Sequence, residues 1–119
     1  MLNRVELIGR LTEEPRCGGS PPQSYGFITL AVNTQYTDKN GEKQQKSEFI
    51  PIAFFRGAAE LVQRFCHKGT LLHVEGSVSI RKKVNNDGSY LEKVEIHGQK
   101  IIFLDKIKPA PRHDDDYPG

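Results

Sequence analysis

Three aromatic residues in the first half of the chain, Tyr36, Phe49 and Phe55, stand where flat rings could serve a ligand rather than a core. In the run from Glu48 to Phe55 (EFIPIAFF), Ile50, Ile52 and Phe54 alternate onto one face of an extended strand. Phe49 and Phe55 alternate onto the other, with Pro51 and Ala53 between them, because successive side chains of a strand point to opposite faces. A domain of this size cannot cover both faces with its own chain. Rings on the second face therefore either stack on a flat ligand or pack under a loop or in a subunit interface. Tyr36, at the end of the preceding strand, is a third candidate platform. Every nucleobase has a π-face, so stacking on a ring ignores base identity and contributes ~1–3 kcal/mol per base.

Cations cluster near the same segments. Lys39, Lys43 and Lys46 flank a turn, Arg56 follows Phe55, and Arg81-Lys82-Lys83 opens a second polar turn. Lys46, Arg56, Arg81, Lys82, Lys83 and, in the opening strand, Arg4 are the candidate phosphate contacts. Most surface lysines only solvate, but a groove lined this way would track a phosphate backbone and release its counterions. Catalysis finds no comparable set. His67, His73, His97 and His113 show no metal-ligand spacing, and no nucleophile–base arrangement can be argued. No catalytic residue, metal site or cofactor is expected. Asp114-Asp115-Asp116 reads as an acidic tail rather than a cation site.

Positioning these residues requires strands. Leu2 to Leu11 reads as a strand, and Glu13 to Ser24 (EEPRCGGSPPQS) is turn chemistry. Tyr25 to Tyr36 follows, with Ile28, Leu30 and Val32 on one face at period two. Asn40-Gly41 marks a turn before the strand from Glu48 to Phe55. From Gly57 to Lys68 the period becomes helical through Ala58, Leu61, Val62 and Phe65, with Gly69 placed as the C-terminal cap. Thr70 to Arg81 and Tyr90 to Leu104 are the last strands, separated by the Asp87-Gly88 turn. The order predicts an all-β fold with one short helix, a five-stranded OB-fold Greek-key barrel. That architecture commonly binds oligonucleotides.

The 119 residues amount to one domain, expected over 1–104, with a flexible acidic tail over 105–119. Up to Leu104 there are 14 lysines and arginines against 11 acidic residues, and 3 against 4 beyond it. A mildly basic body with an acidic end suggests a polyanionic partner. Cys17 and Cys66 have no metal spacing and read as reduced thiols of a cytoplasmic protein. No apolar run approaches the roughly 18 residues of a membrane span.

The residues also carry a resemblance. Leu2-Asn3-Arg4-Val5 with Leu7-Ile8-Gly9-Arg10-Leu11-Thr12, then Phe27-Ile28-Thr29-Leu30-Ala31-Val32-Asn33, Glu48-Phe49, Lys68-Gly69 and Val74-Glu75-Gly76 follow one another at family spacing. Over Met1 to Leu104 the chain resembles the bacterial single-stranded DNA-binding protein family. The resemblance implies an OB-fold homotetramer that binds and protects single-stranded DNA in replication, recombination and repair. It also implies that Tyr36, Phe49 and Phe55 occupy stacking positions and that the first strand pairs subunits. Asp114, Asp115, Asp116, Tyr117 and Pro118 match the tip that docks replication and repair proteins. Three departures stand out. Lys83 replaces a usual aromatic, Pro51 interrupts the third strand on the ligand side, and Gly119 stands where the family ends in Phe. Two other readings stay open: a dimeric OB-fold primosome accessory protein acting through protein contacts, and a small OB nuclease.

Overall fold

The computed structural model describes residues 1–105. Its elements are β1 (Val5–Leu11), β2 (Arg16–Gly18), β3 (Tyr25–Thr37), β4 (Lys43–Phe55), α1 (Gly57–Phe65), β5 (Leu71–Val84) and β6 (Tyr90–Phe103). The sheet runs β1-β5-β6-β4-β3-β2, and a further β1–β3 pairing closes it. The five long strands thus form the barrel that the element order predicts, and the three-residue β2 is an addition along β3. Closure matters because an open sheet would expose unpaired edges.

Period two sets the core. Ile28 and Leu30 of β3, Ile52 and Phe54 of β4, and Leu72 and Val74 of β5 are all buried. One face of α1 seals the cluster with Ala59 and Val62. Leu61, expected on that face, is 40% exposed and turns outward. The helix is also shorter than its periodicity suggests. It ends at Phe65, Cys66 is already extended, and Gly69 belongs to a later turn with φ +91°. There its N–H donates to the Leu11 carbonyl at 2.8 Å, tying the turn to β1. Tertiary pairing has overridden the helical pattern of the last turn.

Two hairpins extend well past the barrel. β3 and β4 remain in register from Tyr25↔Phe55 to Thr37↔Lys43, although Lys43 to Ser47 carries no apolar alternation. The turn accounts for this: Asp38 Oδ1 accepts the N–H groups of Asn40 and Glu42, each at 2.9 Å, and Gly41 takes φ +81°. Those bonds, led by that from Glu42, hold the Asp38 carboxyl below its usual range. β5 and β6 form the second ribbon, running out to Val84↔Tyr90. They bend at an irregularity between Glu75 and Gly76. A Cβ at Gly76 would strike the His97 carbonyl, and one at Gly98 the Phe54 ring, so only glycine fits where the ribbon leaves the core. β4 and β6 touch in parallel at only three pairs, Ile52↔Ile96, Ala53↔His97 and Phe54↔Gly98. Beyond them the ribbons diverge.

The β3–β4 ladder passes through Pro51, opposite Thr29, without a break. A proline fits a continuous ladder only where the missing N–H would point away from the partner. On its other side β4 has no partner until Ile52, so the proline occupies a locally open edge. Cys66 is buried in the core and Cys17 packs beside it, both as free thiols. Burial, and secondarily Cys17, push the Cys66 thiol up to about 12.

Candidate nucleic-acid interface

The face of β3–β4 opposite the core is a shelf of rings. Tyr25, Phe27, Phe49 and Phe55 are each between 37% and 65% exposed. Their odd numbering, against the even-numbered core residues, puts all four on one side. Tyr25 and Phe27 have ring centroids 5.7 Å apart, Phe27 and Phe55 meet edge-on at 6.5 Å, and Phe55 meets His97 at 5.3 Å. Register explains the row. Phe27 pairs with Ala53, and Ala53 with His97, so a small residue separates two rings and Phe55 fills the next level. Such edge-to-face packing fixes ring orientation and leaves the ring faces outside the core.

Where β6 parts from β4, the shelf borders a groove of about 390 Å³. Phe27, Thr29, Pro51 and Ala53 form one wall, Val94 and Ile96 the other, and Arg16, Arg81, Lys93 and Glu95 supply its charges. Three cations and one carboxylate beside exposed rings can hold a polyanion whose flat groups stack. Arg81 is held by Glu95 at 3.5 Å, with the arginine side chain 62% exposed. The Glu95 side chain is only 17% exposed, so a phosphate would reach the pair at its arginine end.

The residues expected from the sequence fall into three groups. Phe49 and Phe55 share the shelf, Arg81 lines the groove, and Arg56 lies beside Phe55 in an adjoining open pocket with Ser24. Lys83 shares the Arg81 face of its ribbon by alternation. Neither Arg56 nor Lys83 has an acidic partner among the described residues. Tyr36 and Lys46 form a second group on the opposite face of the β3–β4 ribbon, since their even numbers put them in phase with the core residues. There the Lys46 ammonium stands 5.8 Å from the Tyr36 ring centroid and 3.1 Å from Glu48. Lys82 likewise takes the other face of its ribbon, 3.8 Å from Glu92. Arg4 stands apart, engaged by Glu6 and Glu75 on the β1–β5 side, and does not line the groove. Asp114, Asp115, Asp116, Tyr117 and Pro118 lie outside the described residues.

Sequence reasoning passed over Tyr25, Phe27, Arg16, Lys93 and His97. The first two were within reach, because the alternation that put Ile28 and Leu30 in the core leaves their odd neighbours outside. The other three carry no local signal. Their place depends on the β2–β3 pairing and on the parallel β4–β6 contact, which no short-range pattern reveals. Among the described residues no three histidines, cysteines or carboxylates are grouped to hold a metal ion, and no helix is long and apolar enough to cross a membrane.

Comparison with known proteins places this geometry. Residues 2–104 match the model of the single-strand binding protein family. A single-stranded DNA-binding protein of Listeria innocua is 39% identical over 106 residues, 88% of this chain and 65% of the relative. Single-stranded DNA-binding protein A of Bacillus subtilis is 36% identical over 106 residues, 88% of this chain and 60% of its own length. The chain thus spans somewhat under two thirds of these two relatives. Among solved structures, a Plasmodium falciparum SSB in complex with ssDNA superposes with a TM-score of 0.76 at 28% identity, covering 88% of this chain and 97% of that one. A deletion mutant of the single-stranded DNA binding protein from Thermus aquaticus gives 0.74 at 27% identity, covering 87% and 51%.

Proposed function

The chain belongs to the single-strand binding protein family, and from that premise we propose that it binds and protects single-stranded DNA with little regard to sequence, in replication, recombination and repair. The observation that carries the reading is the row of rings Tyr25–Phe27–Phe55–His97 beside a groove bordered by Arg16, Arg81 and Lys93. Bases stack on the shelf while phosphates meet Arg16 and Lys93 and exchange with Glu95 at Arg81. The relatives named for single-stranded DNA support the ligand. Double-stranded DNA keeps its bases stacked on each other, so it offers the shelf no ring faces.

Phe49 and Phe55 are proposed as stacking residues, and Tyr25 and Phe27 join them. Tyr36, on the other face of its ribbon, takes a base only where the strand wraps round that ribbon. Arg56, Arg81 and Lys83 are proposed phosphate contacts, with Lys82 and Lys46 engaged if the path wraps, and Arg4 as a more distant one. The chain acts as a binder rather than an enzyme, in the cytoplasm, as a domain over 1–104 that assembles into a homotetramer. The tail from Asp105 serves docking onto replication and repair proteins.

The decisive experiment is a titration with oligothymidylates of graded length, read by tyrosine fluorescence, with duplex DNA as competitor and at two salt concentrations. Affinity that grows with length, falls with salt and resists duplex competition is expected. Equal affinity for duplex would refute the reading. Sedimentation analysis tests the tetramer, and incubation of labelled strand with magnesium tests the absence of nuclease activity.

A further inference from the structure

One ring of the shelf, unlike the others, carries nitrogen atoms that can donate, accept or take up a proton. His97 lies on the shelf at its β6 end. Its ring meets Phe55 edge-on at 5.3 Å, and its Nε2–H donates to Glu95 Oε1 at 3.2 Å. The same Glu95 oxygen is 3.5 Å from Arg81 Nη2. Glu95 is thus shared between one permanent cation and one conditional one, and its side chain is only 17% exposed. Lys93 lies two residues away on the same face of β6 and Arg16 across the groove. β5 contributes Ser77 directly opposite His97, with Arg81 and Lys83 farther along that face. β4 presents only Ala53, Pro51 and Phe55 there, none of which titrates.

Resting on the single-strand-binding reading, we infer that His97 is a further DNA-contacting residue and that it makes the contact as an imidazolium, so that strand binding takes up a proton at this ring. When a phosphate draws Arg81 away, Glu95 loses a cation in a half-enclosed site. An imidazolium at His97 replaces it, keeping the half-buried carboxylate paired. The second nitrogen, Nδ1, gains a proton and becomes a donor to an oxygen of the strand. The approaching phosphates favour the charged ring further, since an opposite charge nearby stabilises the ionised form. No covalent bond changes; one solvent proton moves to Nδ1. The sign follows directly. A proton taken up on binding makes affinity rise as the pH falls.

Oligothymidylate is the right probe, because neither its bases nor its backbone phosphates titrate between pH 5.5 and 8.5. Binding is measured across that range at fixed ionic strength for the wild type, His97→Phe, His97→Gln and the control His67→Gln. The wild type and His67→Gln should bind severalfold more tightly at pH 5.5 than at pH 8.5, and both His97 variants should lose most of that gain. His97→Phe keeps a ring on the shelf and so isolates the charge. Calorimetry at pH 6.5 in buffers of different ionisation enthalpy should show proton uptake in the wild type and less in the variants. Circular dichroism confirms folding, and an imidazole NMR titration of the wild type with and without strand covers the case of a variant that does not fold. An unchanged pH slope in folded His97 variants, or an unmoved His97 titration, overturns the proton linkage while leaving strand binding intact. Failure of the wild type to bind oligothymidylate at every pH overturns the functional reading itself.

Discussion

Exposed rings on the face of a sheet opposite its core allow binding and stability to be tested separately, residue by residue. Phe54 is fully buried while Phe55 is 41% exposed, although they are adjacent and chemically identical. We predict that Phe49→Ala and Phe55→Ala each weaken binding to oligothymidylate by ~1–3 kcal/mol and that Phe27→Ala joins them. Their unfolding midpoints should fall less than that of Ile52→Ala, which leaves a cavity in the core. Variants that bind normally but unfold easily would assign these rings to packing. Lys83 gives a different signature. It stands opposite Leu91 on the second ribbon, and we propose that it meets the strand as a charge. Lys83→Ala should reduce the salt slope of binding by roughly 0.7, the value for one phosphate on a single strand. An unaltered slope places it off the backbone path. At this scale the sequence was legible wherever period two applied: it separated Phe49 and Phe55 from Ile50, Ile52 and Phe54. Applied to β3 it would also have identified Tyr25 and Phe27. Tyr36 was placed with the other rings by proximity in sequence and by resemblance, and alternation puts that residue on the opposite face of the ribbon.

At the scale of elements, the junction between β4 and α1 combines backbone strain with a proposed phosphate contact. Arg56 has φ 59° and ψ −128°, a region that a residue with a Cβ enters at a cost of ~1–3 kcal/mol. Its backbone N–H donates to the Ser24 carbonyl at 2.8 Å, and its own carbonyl accepts from Glu60 at 3.0 Å, so the surrounding bonds hold the conformation in place. Arg56→Gly should therefore raise stability by about 1 kcal/mol, net of the greater freedom glycine has in the unfolded chain. The same change should weaken strand binding and its salt dependence, because a cation beside Phe55 is lost. Denaturant unfolding and a salt titration on one preparation test both halves, and a destabilised variant would show that the arginine side chain supports the fold. The strand order and the helix were readable from hydrophobic period and turn residues. The outer half of β4 was not. Lys43 to Ser47 has no apolar residue, and only the turn at Asp38 and the partner residues Asn33 to Thr37 make it a strand. The helix end was misjudged for a related reason: Cys66 is drawn into the core in extended form, a demand that comes from packing rather than from helical spacing.

At the scale of the molecule, the groove belongs to two ribbons that share a seam of only three residue pairs, Ile52 to Phe54 on one side and Ile96 to Gly98 on the other. The barrel was legible because each of its strands carries a buried stripe. The divergence of the ribbons was not, since it depends on a glycine-lined bend and on a parallel contact between segments more than forty residues apart. Because the ribbons part without a strap across them among the described residues, the groove is open along its length rather than closed into a tunnel. A tunnel admits a polymer only by threading an end. An open trough accepts it sideways, at any point along its contour. Loading is therefore indifferent to topology: a covalently closed circle of single-stranded DNA should associate as fast as a linear strand of the same length and composition. Stopped-flow mixing with the two forms measures this directly, and a circle that binds markedly more slowly would mean that the trough closes over its strand in the assembled protein.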